Sequence, residues 1–275
     1  MHGGRVSGRS ARLLAIGAVT GLAAGLLGVG GGFVMVPAMV YLMKTPQREA
    51  NGTSLAVIVP VAIVGATILG GGHQLNVEVG IALAIGAVGG AVLGARLTRR
   101  VSDIGLRRAF GIVAVVAGVV MIGDSVLRAV GGNFQVAGGL HPSGISLWVV
   151  ALLVGAVAGV LSGLLGIGGG AVMVPAMTLL MGLTQHMAQG TSLLVIIPTA
   201  ISGSITHFRM GNIRMQTAAW LSAGGVLGAV GGAYLALASP DAILRLLFGC
   251  YLAFTGARML QAPRTRVAQP TMASQ

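Results

Sequence analysis

"GLLGVGGGFVMVPAMV" spans residues 25–40, and "GLLGIGGGAVMVPAMT" returns at residues 163–178. Clustered glycines and a proline are poor choices inside an apolar helix. Each glycine weakens a helix interior by about 1 kcal/mol relative to alanine, and proline removes a backbone donor. Found twice in the same order, they describe two copies of one unit, each with a break in an apolar run. At an offset of 138, residues 25–43 and 163–181 agree at 15 of 19 positions, and residues 47–60 and 185–198 agree at 9 of 14. Further on, Gly86, Gly90 and Gly94 match Gly224, Gly228 and Gly232.

The 275 residues around these motifs are 55% hydrophobic and 8% charged, with a mean hydropathy of +0.92. A soluble domain carries about 25% charged residues, so the expected fold is an all-α polytopic membrane protein whose first partner is the lipid bilayer. The net charge of +12 does not point to nucleic acid, because the basic residues cluster at the ends of apolar segments, as they do beside membrane spans. Arg5, Arg9 and Arg12 before an apolar run mimic a leader peptide. The same run recurs in mid-chain ahead of the second glycine motif, so cleavage is not expected. The lone Cys250 can form no internal disulfide and is expected to pack in the core.

Apolar segments fall near 11–27, 30–43, 51–71, 77–97 and 106–128, then near 147–165, 168–182, 189–208, 215–237 and 242–260. The expected organisation is a cytoplasmic N-terminal tail (1–10), membrane repeat 1 (11–128), a linker (129–146), membrane repeat 2 (147–260) and a cytoplasmic C-terminal tail (261–275). Residues 12–43 as one straight helix would run about 48 Å, too long for a bilayer core of roughly 30 Å. If each broken pair were one tilted span, the Lys and Arg residues would divide 9 to 8 between the two sides. If each pair returns to its starting side, they divide 15 to 2, with only Arg128 and Arg245 opposed. The second division fits the positive-inside rule. It implies two inverted repeats, each with a glycine-broken first helix (re-entrant or paired) plus three spans, and cytoplasmic termini. Inverted repeats with broken helices are a recurring transporter architecture, with the substrate near the midplane.

At the breaks, helices starting near Gly32 and Gly170 would aim free N–H groups and positive dipole ends at one point, a ready anion site. The competing reading is that these glycines only permit close helix crossing. "NGTS" at 51–54 and "QGTS" at 189–192 supply neutral donors, and they read equally as helix caps. Pro60 and Pro198 are expected to kink their helices, and Pro37 and Pro175 to interrupt the run after the glycines. The Gly86 and Gly224 series read as small-residue packing faces. Of the acidic residues Glu49, Glu78, Asp103, Asp124 and Asp241, only Asp124 lies inside a segment, which disfavours a cationic substrate and leaves Asp124 as a proton-relay candidate. His73 and His207 read as interfacial. No buried Arg or Lys is expected as a counter-charge, and nothing suggests a nucleophile–base pair, a metal centre or a cofactor. An enzyme is therefore not expected.

At these residues the chain resembles the TauE/SafE sulfite-exporter family, also called TSUP permeases. "GLLGVGGGFVMVPAM" followed by "ANGTSL", and "GLLGIGGGAVMVPAM" followed by "AQGTSL", carry the likeness, which extends over roughly 12–260. The resemblance implies a permease of the prokaryotic plasma (inner) membrane that moves small sulfur-containing anions of the sulfite, thiosulfate or sulfonate type. Carried onto this chain, Gly30, Gly31, Gly32, Thr53 and Ser54, with Gly168, Gly169, Gly170, Thr191 and Ser192, would line the pathway. Asn51 and Gln189 complete the polar set, and their difference means that the halves need not bind equally. The alternative is a membrane scaffold or sensor without transport activity. A polar cavity between the breaks would favour transport, and a dry packed interface would favour a scaffold. Substrate, direction, coupling ion and homo-oligomerisation are not set by the sequence.

Overall fold

The computed structural model describes residues 3–98, 103–129 and 144–261. Among these residues all regular structure is helical. The first half runs α1 (Gly3–Leu27), α2 (Gly32–Pro37, continuing as a π-helix over Ala38–Leu42), α3 (Gln47–Gly71), α4 (Val77–Leu97) and α5 (Asp103–Ala129). The second half repeats the order as α6 (Ile145–Leu165), α7 (Gly170–Leu179), α8 (Gln185–Arg209), α9 (Met215–Ala238) and α10 (Asp241–Gln261). Seven helices are long and apolar enough to cross a membrane: α1 from Ser10, α3, α4, α6, α8, α9 and α10. Large apolar side chains face outward around the bundle, among them Val116, Leu153, Leu227 and Phe254, each more than half exposed. In water such a surface would be a liability. Facing lipid it is the expected one.

The packing exchanges helices between halves. A Cβ on Gly86, Gly90 or Gly94 of α4 would run into the backbone carbonyls of Leu152, Ala156 and Val160 of α6, and Gly155, Gly159 and Gly163 answer against Leu83, Ala87 and Ala91. Both sets of numbers rise together, so α4 and α6 are parallel. Gly224, Gly228 and Gly232 of α9 meet Leu14, Ala18 and Leu22 of α1 in the same way. The packing role expected of these glycines is thus what they do: backbones approach to a distance that any side chain would prevent.

Two pairs of corresponding helices, α5 with α10 and α3 with α8, run antiparallel. In α5 and α10, a Cβ on Gly118 would lie 2.6 Å from the Gly249 carbonyl, and one on Gly256 would lie 2.7 Å from that of Gly111. In α3 and α8, Gly65 faces Leu193 and Gly203 faces Leu55. Glu49 at the start of α3 pairs with Arg214 at the start of α9. Because α9 is parallel to α1, the chain has come back after its first break to the side where α1 began.

The structure corrects two expectations here. Helices α3 and α8 begin at Gln47 and Gln185, one turn before positions 51 and 189. Cys250 is exposed on α10 rather than packed in the core; it faces outward on the apolar flank shared with Leu247 and Phe254. Pro60 and Pro198 lie inside α3 and α8, which continue on either side of them. Only Pro37 is followed by altered winding, the π-helical Ala38–Leu42, as suits a turn that has lost a backbone donor.

Candidate functional site

The breaks are built by glycines that no other residue replaces cheaply. Gly31 and Gly169, which precede α2 and α7, sit at φ 76° and 80°, in the left-handed region that costs an L-residue about 1–2 kcal/mol. Space is also short, since a Cβ on Gly31 would stand 2.7 Å from the Thr20 carbonyl oxygen. Neither α2 nor α7 has a side-chain cap; the Val34 and Met35 amides donate to the Gly31 carbonyl, and those of Val172 and Met173 donate to the Gly169 carbonyl.

The two breaks lie against each other. A Cβ on Gly170 would be 2.6 Å from the Gly28 oxygen, and one on Gly32 would be 2.7 Å from Cα of Ile167. Gly30–Gly32 and Gly168–Gly170 are thereby brought together. Over them sit Ile58 and Ile196, from the middles of α3 and α8. A Cβ on Gly30 would meet Ile58 Cγ2 at 3.2 Å and Ile196 Cδ1 at 3.4 Å. At Gly30, therefore, the contact is apolar and packed, which at that point meets the scaffold criterion rather than the transport one.

The polar motifs act across the halves. The Ser54 hydroxyl donates to the Gly166 carbonyl at 2.7 Å, and Ser192 donates to that of Gly28. Each serine holds the opposite break at its first turn. Thr53 Oγ1 accepts the Arg214 amide at 3.1 Å, and Thr191 Oγ1 accepts the Asn76 amide at 2.8 Å. Gly52 and Gly190 leave room for the backbones of Asn212 and Gln74. "Gly-Thr-Ser" thus makes a clasp: glycine admits the other half's loop, threonine takes an amide at the start of the following helix, and serine reaches the break. The cap reading of these motifs is corrected, because they lie inside their helices while Pro46 and Thr184 occupy the N-cap positions. Thr191→Val strands the Asn76 amide and is expected to lower stability by roughly 1–3 kcal/mol. A thermal melt in detergent, set against Thr191→Ser at the parental value, checks it.

Asn51 and Gln189 behave differently. The Asn51 carboxamide donates to the Leu164 carbonyl at 2.8 Å and accepts from Gln47 at 2.9 Å. Gln189 is fully buried, and neither of its carboxamide atoms has a partner. Gln185, which matches Gln47 at the repeat offset, is in the same condition. Sequence reasoning passed over it because it fell just outside the segment assigned to the helix.

Two further expectations are corrected. Arg245 is buried and pairs with buried Asp124 across the antiparallel α5–α10 contact. A buried arginine is tolerated there because a carboxylate meets it. Its other end lies 3.4 Å from Asp241, whose Oδ1 accepts from the Gln185 amide at 2.7 Å. His207 is not interfacial. It is fully buried, with Nε2 3.0 Å from the Gly163 carbonyl, whereas His73 is exposed in the turn after α3. No group of three or more His, Cys, Asp or Glu able to hold a metal occurs among the described residues.

Outward-facing apolar helices around paired backbone breaks define a multi-pass membrane protein of the transporter class. The chain belongs to the sulfite exporter TauE/SafE family, whose model matches residues 2–121 and 151–274. It is 28% identical over 268 residues to the "Probable membrane transporter protein YunE" of Bacillus subtilis (strain 168), covering 89% of this chain and 97% of that one. It is 28% identical over 228 residues to YdhB of the same organism, also named a probable membrane transporter protein, covering 82% and 89%. A probable membrane transporter protein of Haemophilus influenzae is 43% identical over 75 residues, which is 25% of this chain and 28% of that one. No solved structure gave a significant match.

Proposed function

We propose that the protein is a permease of the prokaryotic plasma membrane for small sulfur-containing anions of the sulfite, thiosulfate or sulfonate type. The observation that carries this reading is the meeting of two glycine breaks at the uncapped starts of α2 and α7, between helices that correspond and run antiparallel. The antiparallel pairing supports inverted repeats, and the 15-to-2 charge division supports cytoplasmic termini. Helix starts carry about half a positive charge each, which favours an oxyanion and disfavours cations. The family description supplies the sulfur chemistry. Within the site, Gly30–Gly32 and Gly168–Gly170 offer amides, Ser54 and Ser192 fix the break geometry, and Asn51, Gln189, Thr53 and Thr191 support them. Ile58 and Ile196 close this state, and passage requires them to part. Their packing is also the observation that favours the scaffold reading.

Flux separates the two. Proteoliposomes are expected to move labelled sulfite or thiosulfate saturably, with unlabelled oxyanions competing and ammonium-type cations not. Saturable transport of a cation that oxyanions fail to inhibit would overturn the anion reading, and no flux of any tested solute supports the scaffold. Orientation is tested by single cysteines at Arg100 and Asn133 in a Cys250→Ala background; both positions lie outside the described residues. An impermeant thiol reagent applied to intact cells should label position 133 and spare position 100. Equal labelling, or label at 100 alone, removes the inverted topology.

A further inference from the structure

Among the described residues, seven buried side-chain N or O atoms lack a partner, and five of them belong to Gln185, Gln189 and Arg245. Native interiors hydrogen-bond the large majority of such atoms, and buried polar groups that the protein leaves unpaired are commonly met by water or a ligand. We propose that Gln185 and Gln189 form a polar subsite for the transported oxyanion, present in the second half and closed in the first. This rests on the anion-transport reading above and assigns Gln185 as a further substrate-binding residue.

Placement supports it. A Cβ on Gly28 would lie 2.6 Å from Cα and 2.8 Å from Cβ of Gln189, so that side chain leaves α8 beside the first break. The Gly28 carbonyl in turn lies against Gly170, at the start of α7. Gln185 is one turn earlier, and residues at i and i+4 share a helix face. The two carboxamides therefore step from the start of α8 to the glycine break. In the first half the same steps are filled: Gln47 donates to Asn51, and Asn51 donates to Leu164. Gln189 has one methylene more than Asn51, and its carboxamide makes no corresponding bond.

The chemistry suits a ligand that must also leave. Two carboxamide NH₂ groups offer four neutral N–H donors to oxyanion oxygens, without the full charge that would hold an anion too tightly. Their carbonyl oxygens accept from water, or from the hydroxyl of a protonated oxyanion. Asp241 does not repel the anion with a free charge, because its carboxylate faces Arg245, His186 and the first amides of α8.

The test measures thermal shift in detergent with sulfite, thiosulfate and methanesulfonate, with chloride as control, alongside flux in proteoliposomes. Gln185→Met and Gln189→Met remove atoms that have no partner, so without anion both are expected to melt no lower than the parent. Both should weaken the anion-dependent shift about tenfold in apparent Kd, as loss of a bond to a charged acceptor does. Gln47→Met, the matching change in the first half, breaks a bond and should melt lower while keeping the parental Kd. Parental Kd in both second-half variants, with parental flux intact, overturns the subsite alone. So does a drop in melting point equal to that of Gln47→Met, since it would reveal a structural bond. No shift and no flux in the parent with any of the three anions overturns the transport reading and the subsite with it.

Discussion

Gly90→Val is expected to abolish folding, while Gly89→Val, one residue away, melts within a few degrees of the parent. On Gly90 a new Cβ would enter the Ala156 carbonyl and approach the Val160 amide at 2.9 Å, both of them backbone. On Gly89 it would meet nothing within 4 Å. Overpacking against side chains costs about 1–3 kcal/mol because they can turn away. Here α4 and α6 would have to separate along their length, losing every glycine contact in the row. The readout is the monodisperse fraction on size exclusion in detergent, followed by a thermal melt. Both variants behaving alike would show that the seam is not the close backbone contact described.

Removing either partner of the Asp124–Arg245 pair is the next largest effect. Asp124 is 1% exposed and Arg245 5%, so Asp124→Ala leaves the buried guanidinium with only the longer contact to Asp241 at 3.4 Å, at a cost of roughly 3 kcal/mol. Arg245→Met should also destabilise, because it removes the cation that meets the buried Asp124 carboxylate. The double variant Asp124→Leu with Arg245→Met is expected to recover most of the loss, since apolar groups of similar volume often replace a buried pair without penalty. Reversible unfolding in mixed detergent gives the coupling. Additive losses in the double variant would mean that each residue serves a different partner. A proton-relay role for Asp124 predicts in addition that the refolded double variant loses any pH dependence of flux.

Much of this was legible beforehand, because its causes are local. The break can be read at Gly28–Gly32 since glycine there is a backbone requirement, and the repeat offset carries that reading to Gly166–Gly170. The Gly86 and Gly224 rows announce close packing through their four-residue spacing. What the spacing does not announce is the partner, since a row of glycines says that a backbone comes near but not whose. The swap of α1 onto α9 and of α6 onto α4 follows from three-dimensional closure. The roles of Thr53 and Thr191 were hidden for the same reason, as their partners are backbone amides more than a hundred positions away. Gln185 was passed over and His207 read as interfacial because polar residues near a helix end resemble loop or interface, and only the neighbouring half shows that they are covered.

The exchanged seams set the order in which the molecule can be made. A ribosome finishes α1 at Leu27 long before it reaches Met215, where the helix that covers α1 begins. Throughout that interval the glycine face of the nascent first helix must rest against lipid, or against the machinery that inserts it. The second seam closes early, as soon as α6 follows α4 out of the ribosome. The first closes almost last and draws the beginning of the chain against its end. A single half released on its own could cover both faces only by meeting another copy inserted the opposite way up.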